Sequence, residues 1–136
     1  MKKFLLRTTI AFACTMLTTQ AAWEITSSGS TFEVSDGDWI LQCQKSGSEG
    51  DFKISKVIQS GEGKLDLIAL NSDIDDGQTD YSLIEINTSL RNQTINGLTI
   101  PKTVKTIAGW SFQSNSNSTP KKYLTGDVVI EEGSEL

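Results

Sequence analysis

From position 32 onward the chain is a series of short segments in which apolar and polar residues alternate, cut apart by glycine, asparagine and aspartate. A period of two is that of a strand with one face buried. Segments of this kind cover 32–34, 39–44, 52–58, 64–70, 81–86, 94–95 with 98–100, 103–108, 110–112 and 127–130. Between them lie Ser35-Asp36-Gly37, Ser46-Gly47-Ser48-Glu49-Gly50, Gly61-Glu62-Gly63, Asp75-Asp76-Gly77, Asn96-Gly97 and a Ser/Asn run ending at Pro120, all of them turn chemistry. In the second segment Trp39, Leu41 and Cys43 share a face opposite Gln42 and Gln44; in the third, Phe52, Ile54 and Ile58 oppose Lys53 and Ser55. Segments 64–70 and 81–86 carry apolar residues on both faces, which predicts strands near the middle of the structure. Asn96-Gly97 predicts a two-residue hairpin, because both residues tolerate the positive φ of a type I′ turn.

No segment after residue 22 has a helical period. The pattern therefore predicts an all-β fold, an antiparallel β-sandwich or small barrel, occupying 32–130 as a single domain. A flexible lead-in over 23–31, ending in Thr26-Ser27-Ser28-Gly29-Ser30, precedes it, and an acidic tail over 131–136 follows. Residues 114–119 read as a mobile loop.

The first 22 residues have a different pattern. Met1-Lys2-Lys3 is positive, the stretch 4–17 is mostly apolar, and Thr19-Gln20-Ala21-Ala22 places small residues where a signal peptidase cuts. This predicts a secretory signal peptide over 1–22, cleaved after Ala21 or Ala22, and an exported protein that is periplasmic, surface-associated or secreted. The apolar run falls short of the ~20 residues that span a bilayer, so no stable membrane span is expected after cleavage. Lipidation at Cys14 is the less favoured route, because Ala11 stands where a lipoprotein signal carries a larger aliphatic residue and Arg7 breaks the apolar core.

Composition narrows the chemistry. The 136 residues include no histidine, which removes His-based triads, imidazole acid–base work and nearly all His-ligated zinc sites. The whole chain carries a formal charge of −5; without Lys2, Lys3 and Arg7 the remainder holds nine basic and 17 acidic side chains, a charge of −8. Phosphate-bearing partners would be repelled, so no nucleic acid is expected.

Four features could carry chemistry. Cys43 is the single cysteine beyond the leader, and its phase beside Trp39 and Leu41 predicts a buried, inert thiol. The stretch 71–80 is rich in oxygen ligands, but its Gly77 and Ser82 do not fit a calcium-loop spacing, and a solvated acidic turn is the expectation. Asp36 and Asp38 flank a glycine and read as turn residues rather than a catalytic pair. Asn87, Asn92 and Asn117 each open an Asn-x-Ser/Thr triplet, read as chance in a chain with a bacterial leader. No catalytic, cofactor or metal residue is expected, and the protein is read as a non-enzyme.

Gly37-Asp38-Trp39-Ile40-Leu41-Gln42-Cys43, followed by Phe52-Lys53-Ile54-Ser55-Lys56, resembles the opening of the invasion-associated locus B family of exported bacterial proteins. The later Ile100-Pro101-Lys102-Thr103-Val104 with Gly109 is loosely similar to that family's Pro-x-Gly-Val stretch, so the resemblance covers about residues 33–112. It singles out Asp38, Trp39, Cys43 and Phe52 as structural motif positions, Phe52 standing where the family has its second cysteine. What it implies is a small β module of the envelope or surface that interacts with host cells or envelope partners. The alternative is a small acidic periplasmic inhibitor or immunity-type protein that blocks a basic enzyme.

Overall fold

The computed structural model describes residues 21–47, 49–87, 90–109, 111–112 and 124–136. Most of the expected leader, with Cys14, lies outside these residues, as do Trp110 and the 114–119 run. The fold is mostly β, as the alternation predicts. Nine strands are described: β1 Glu24–Ser27, β2 Thr31–Ser35, β3 Ile40–Lys45, β4 Asp51–Gln59, β5 Leu65–Asp66, β6 Ser82–Ile86, β7 Ile95–Ile100, β8 Thr106–Ile107 and β9 Leu124–Ile130. One helix, α1 Leu67–Asp73, follows β5 directly.

Only the first four strands are antiparallel neighbours. They form a meander, β1-β2-β3-β4, within a six-stranded sheet of order β1-β2-β3-β4-β6-β8. From β4 onward the chain alternates between this sheet and a second one of order β5-β7-β9, and every new strand lies parallel to its neighbour. The second half is thus wound like a short solenoid, with circuits of 31 residues from Asp51 to Ser82, 33 from Leu65 to Leu98, 21 from Glu85 to Thr106 and 30 from Leu98 to Val128. Residues stack in columns between circuits: Ile54, Ile86 and Ile107 in one sheet, Leu65, Leu98 and Val128 in the other. The all-antiparallel expectation is corrected here. Short apolar runs specify strands but not the direction of their neighbours.

Six local readings change. The predicted strand over 64–70 is a strand for two residues and then a helix, because Asp66 caps it: its Oδ1 accepts the Ala69 N–H at 3.0 Å. Leu67, Leu70 and Ile74 are then buried at helical spacing, a period hidden by Ile68 and Ala69 between them. Asn96-Gly97 does not turn the chain. Gly97 has φ +86° within the continuous strand β7, opposite Gly126 with φ +72° in β9, and the register shifts there.

The predicted inward phase of Ile58 fails for a similar reason. Cys43 pairs with Ile54 but Leu41 pairs with Val57, so β4 holds one extra residue; Val57 turns inward and Ile58 is exposed. The lead-in also contains a packed element. β1 pairs with β2, and Trp23 is buried with its indole N–H donating to the Asp66 carbonyl at 3.1 Å and its backbone N–H to Asp73 Oδ2 at 3.1 Å. Of the expected acidic tail, Glu131 extends the ladder, its N–H donating to the Ile100 carbonyl at 2.9 Å while its carboxylate accepts the Lys102 N–H at 2.9 Å. Ser111 and Phe112, predicted in a strand, lie in a turn.

Phe32, Phe52 and Tyr81 meet in the core between β2, β4 and the start of β6. Ring centroids lie 5.6 Å apart for Phe32–Phe52, 5.5 Å for Phe32–Tyr81 and 6.1 Å for Phe52–Tyr81. Tilted and edge-on pairs of this kind add about 0.5–1.5 kcal/mol each beyond the burial of their area.

Asp66 ties the halves together. Besides capping α1 it accepts the Thr99 hydroxyl from β7 at 2.6 Å and pairs with Lys64 at 2.9 Å. Burial alone would raise its carboxyl, but the hydrogen bonds from Thr99, Ala69 and Lys64, with the lysine charge, outweigh it and hold the group below the usual carboxylate range. A depressed folded-state value stabilises the protein fully above the unfolded pKa of about 3.9, and that contribution vanishes as pH falls through the folded value. Asp66→Ala is expected to lower stability at neutral pH by about 1–2 kcal/mol. Urea unfolding down the acid range should show Asp66→Asn losing stability less steeply than the wild type below about pH 4.

Candidate functional site

The four residues singled out above fall into two pairs, Asp38 with Trp39 just before β3 and Cys43 with Phe52 in the core. Asp36 opens the turn before β3: its Oδ1 accepts the backbone N–H groups of Asp38 at 2.9 Å and Trp39 at 2.7 Å. This aims Asp38 away from Asp36 and toward the connection between β4 and β5. There Asp38 Oδ1 accepts the Glu62 N–H at 3.1 Å and Oδ2 the Gly63 N–H at 2.8 Å, while its backbone carbonyl accepts the Gln59 side-chain amide at 3.0 Å. The fully buried Trp39 adds its indole N–H to the Gly63 carbonyl at 3.2 Å. Asp38 and Trp39 thus clamp the 61–63 turn that carries the chain from the first sheet to the second. Gly61 lies so close that a Cβ there would overlap Asp38 Oδ2 and Trp39 Nε1. Asp36 and Asp38 point to different backbone donors, which is no arrangement for paired acid–base work.

Cys43 and Phe52 are both fully buried in one core cluster. Cys43 lies directly opposite Phe32 on β2 and Ile54 on β4, one pleat along from Phe52. Desolvation pushes its thiol far above the ordinary cysteine range, so the nucleophilic thiolate does not form at neutral pH.

The acidic turn 71–80 disperses its oxygens. Asn71 Oδ1 accepts the Leu83 N–H at 2.7 Å, Asp73 accepts Trp23, and Asp75 accepts the Gly77 N–H at 2.6 Å. Asp76 gathers the N–H groups of Thr79 at 2.7 Å and Gln78 at 3.0 Å, with the hydroxyls of Thr79 and Tyr81 each at 2.9 Å. The backbone N–H of Thr79 leads these bonds in drawing the Asp76 carboxyl well below its usual value. Among the described residues no group of three His, Cys, Asp or Glu side chains is arranged to hold a metal ion.

The feature that sequence reasoning missed is at the end of the second sheet. β9 is exposed along its whole length, with Val128, Val129 and Ile130 at 47%, 50% and 51% of full exposure. It pairs with β7 on one side and with no other described strand on the other. Its Val-Val-Ile run reads in the sequence as one more strand, and nothing local marks it as an edge.

Comparison with protein families, curated proteins and solved structures finds no match. Among the described residues no helix is long and apolar enough to cross a membrane.

Gly61→Ala is expected to destabilise the fold by about 1–3 kcal/mol through overpacking against the clamp. Gly109→Ala, whose Cβ would meet nothing within 4 Å, should leave stability unchanged in the same denaturant titration. A thiol reagent should leave Cys43 unlabelled in native protein at neutral pH and label it fully in denaturant.

Proposed function

We propose that the protein is an exported, non-enzymatic β domain of the bacterial envelope or surface that works by binding a protein partner, in the envelope or on a host cell. The observation that carries this reading is the open edge of β9. An edge strand presents a row of backbone N–H and C=O groups, and natural proteins usually blunt it with charge, proline or a covering element. β9 carries Asp127 alone as a charged side chain, and its apolar neighbours are exposed. A partner strand laid along it would supply the missing ladder and cover Val128, Val129 and Ile130, with side-chain pockets giving selectivity.

Three further features support the reading. The leader pattern over 1–22 suits export. The acidic charge of the remaining chain disfavours phosphate-bearing partners. The resemblance of the Asp38-Trp39 strand ending at Cys43 to the invasion-associated locus B family points to the same compartment and to a role at the host interface. The inhibitor alternative has less support, because Asp76, at the centre of the acidic turn, is saturated by its own loop and Tyr81.

The test is binding of the labelled, exported protein to host cells and to envelope fractions, wild type against Val129→Lys. The variant should fold normally by circular dichroism, since Val129 is half exposed, and should bind at least about tenfold more weakly through charge on the edge. Equal binding by the two proteins, absence of binding by the wild type, or retention of the uncut chain in the cytoplasm overturns the proposal.

A further inference from the structure

We infer that the fold contains a receptor for its own processed N-terminus: the α-ammonium group freed by removal of the leader docks on the carboxylate of Asp73. This rests on the export reading. The geometry is already in place around Trp23, whose side chain is 2% exposed. Its indole N–H reaches the carbonyl of Asp66, the N-cap of α1, and its backbone N–H reaches the Asp73 carboxylate at the last residue of that helix, each at 3.1 Å. Trp23 is therefore pinned across the length of α1. Ala21 and Ala22, where the peptidase is expected to cut, are exposed immediately upstream.

Hydrolysis of the Ala21–Ala22 or the Ala22–Trp23 bond by a signal peptidase consumes one water. The leader keeps a new carboxylate and the mature chain a new amine. With an ordinary pKa of about 7.7–8.0, that amine is mostly protonated at neutral pH. A cut at Trp23 converts the nitrogen that already contacts Asp73 into the cation. A cut at Ala22 places the cation one residue upstream, about 3.8 Å of chain away. In both cases an ammonium–carboxylate ion pair supplements or replaces a hydrogen bond from an uncharged amide to the same carboxylate.

The electrostatics of α1 favour this arrangement. Asp73 lies at the helix C-terminus, where the backbone carbonyls carry partial negative charge and a carboxylate is unfavourable but a cation is welcome. The last turn of α1 holds no basic side chain, and the described ion pair, Lys64–Asp66, sits at the opposite end of the helix. The other acidic groups close to Trp23 in the chain or the contact are Glu24, its exposed neighbour, and Asp66, whose carboxylate is engaged by Lys64, Thr99 and Ala69. In the precursor the same position is a neutral amide, so the ion pair belongs to the exported form alone and fastens β1 after processing.

The full-length chain, expressed with its leader in a bacterium, provides the test. The exported protein is recovered, its intact mass measured, and its α-amine labelled at pH 7 with 2-pyridinecarboxaldehyde, for the wild type, Asp73→Asn and the control Asp75→Asn. A mature chain beginning at Ala22 or Trp23 is expected, with Asp73→Asn labelling about three- to tenfold faster than wild type, because losing the carboxylate removes the charge that favours the ammonium form and leaves more of the amine unprotonated. Asp75→Asn should label at the wild-type rate. Equal rates for wild type and Asp73→Asn, acceleration by Asp75→Asn to the same degree, or export with a cut at any other bond overturns the inference and leaves export standing. A chain that is never shortened and stays inside the cell refutes the export reading itself.

Discussion

The structure depends on one residue at the junction of its parts. Asp66 ends β5, caps α1, accepts the Thr99 hydroxyl of β7, pairs with Lys64, and through its backbone carbonyl holds the indole of Trp23. A carboxylate that is only partly exposed must have its lone pairs satisfied, and here the donors come from separate stretches of chain. Satisfying them fixes where the N-terminal segment, the helix and the second sheet lie relative to one another. The Thr99 hydroxyl extends the network by accepting the Ile68 N–H at 3.0 Å, so two of the free N–H groups at the start of the helix find partners.

Around that junction the chain uses two building rules. The meander of β1 to β4 makes local antiparallel contacts and packs its aromatic residues into a dense core. The second half adds one parallel strand to each sheet per circuit, so each circuit is stabilised by the one before it. Among the described residues the outer strand of the second sheet is β9, and it keeps its apolar side chains at the surface. The stacked architecture and the proposed binding edge are thus consequences of the same topology.

Asp38 and Trp39 sit at the transition between the two rules. Asp38 and Trp39 grip the 61–63 turn at the point where the chain first leaves one sheet for the other, and Gly61 allows the close approach. These contacts give the Asp-Trp pair a structural task. Cys43, deep in the meander, contributes volume rather than reactivity.

The sequence by itself determined the strand-rich class, the inward face of Trp39, Leu41, Cys43, Phe52 and Ile54, and most turn positions, because alternation and turn chemistry are local properties of backbone and side chain. The helix start at Asp66, with Leu67, Leu70 and Ile74 at helical spacing, was hidden in the sequence by the apolar residues between them. Tertiary structure decided the rest. Parallel pairing of β4, β6 and β8, the extra residue that turns Val57 inward, and the continuation of β7 through Gly97 all depend on which strand arrives as neighbour. Trp23 is ordered by partners 43 and 50 residues away, and β9 is exposed because no described strand follows it in its sheet. Local pattern specifies what a segment can bury; only the assembled chain specifies what is there to bury it against.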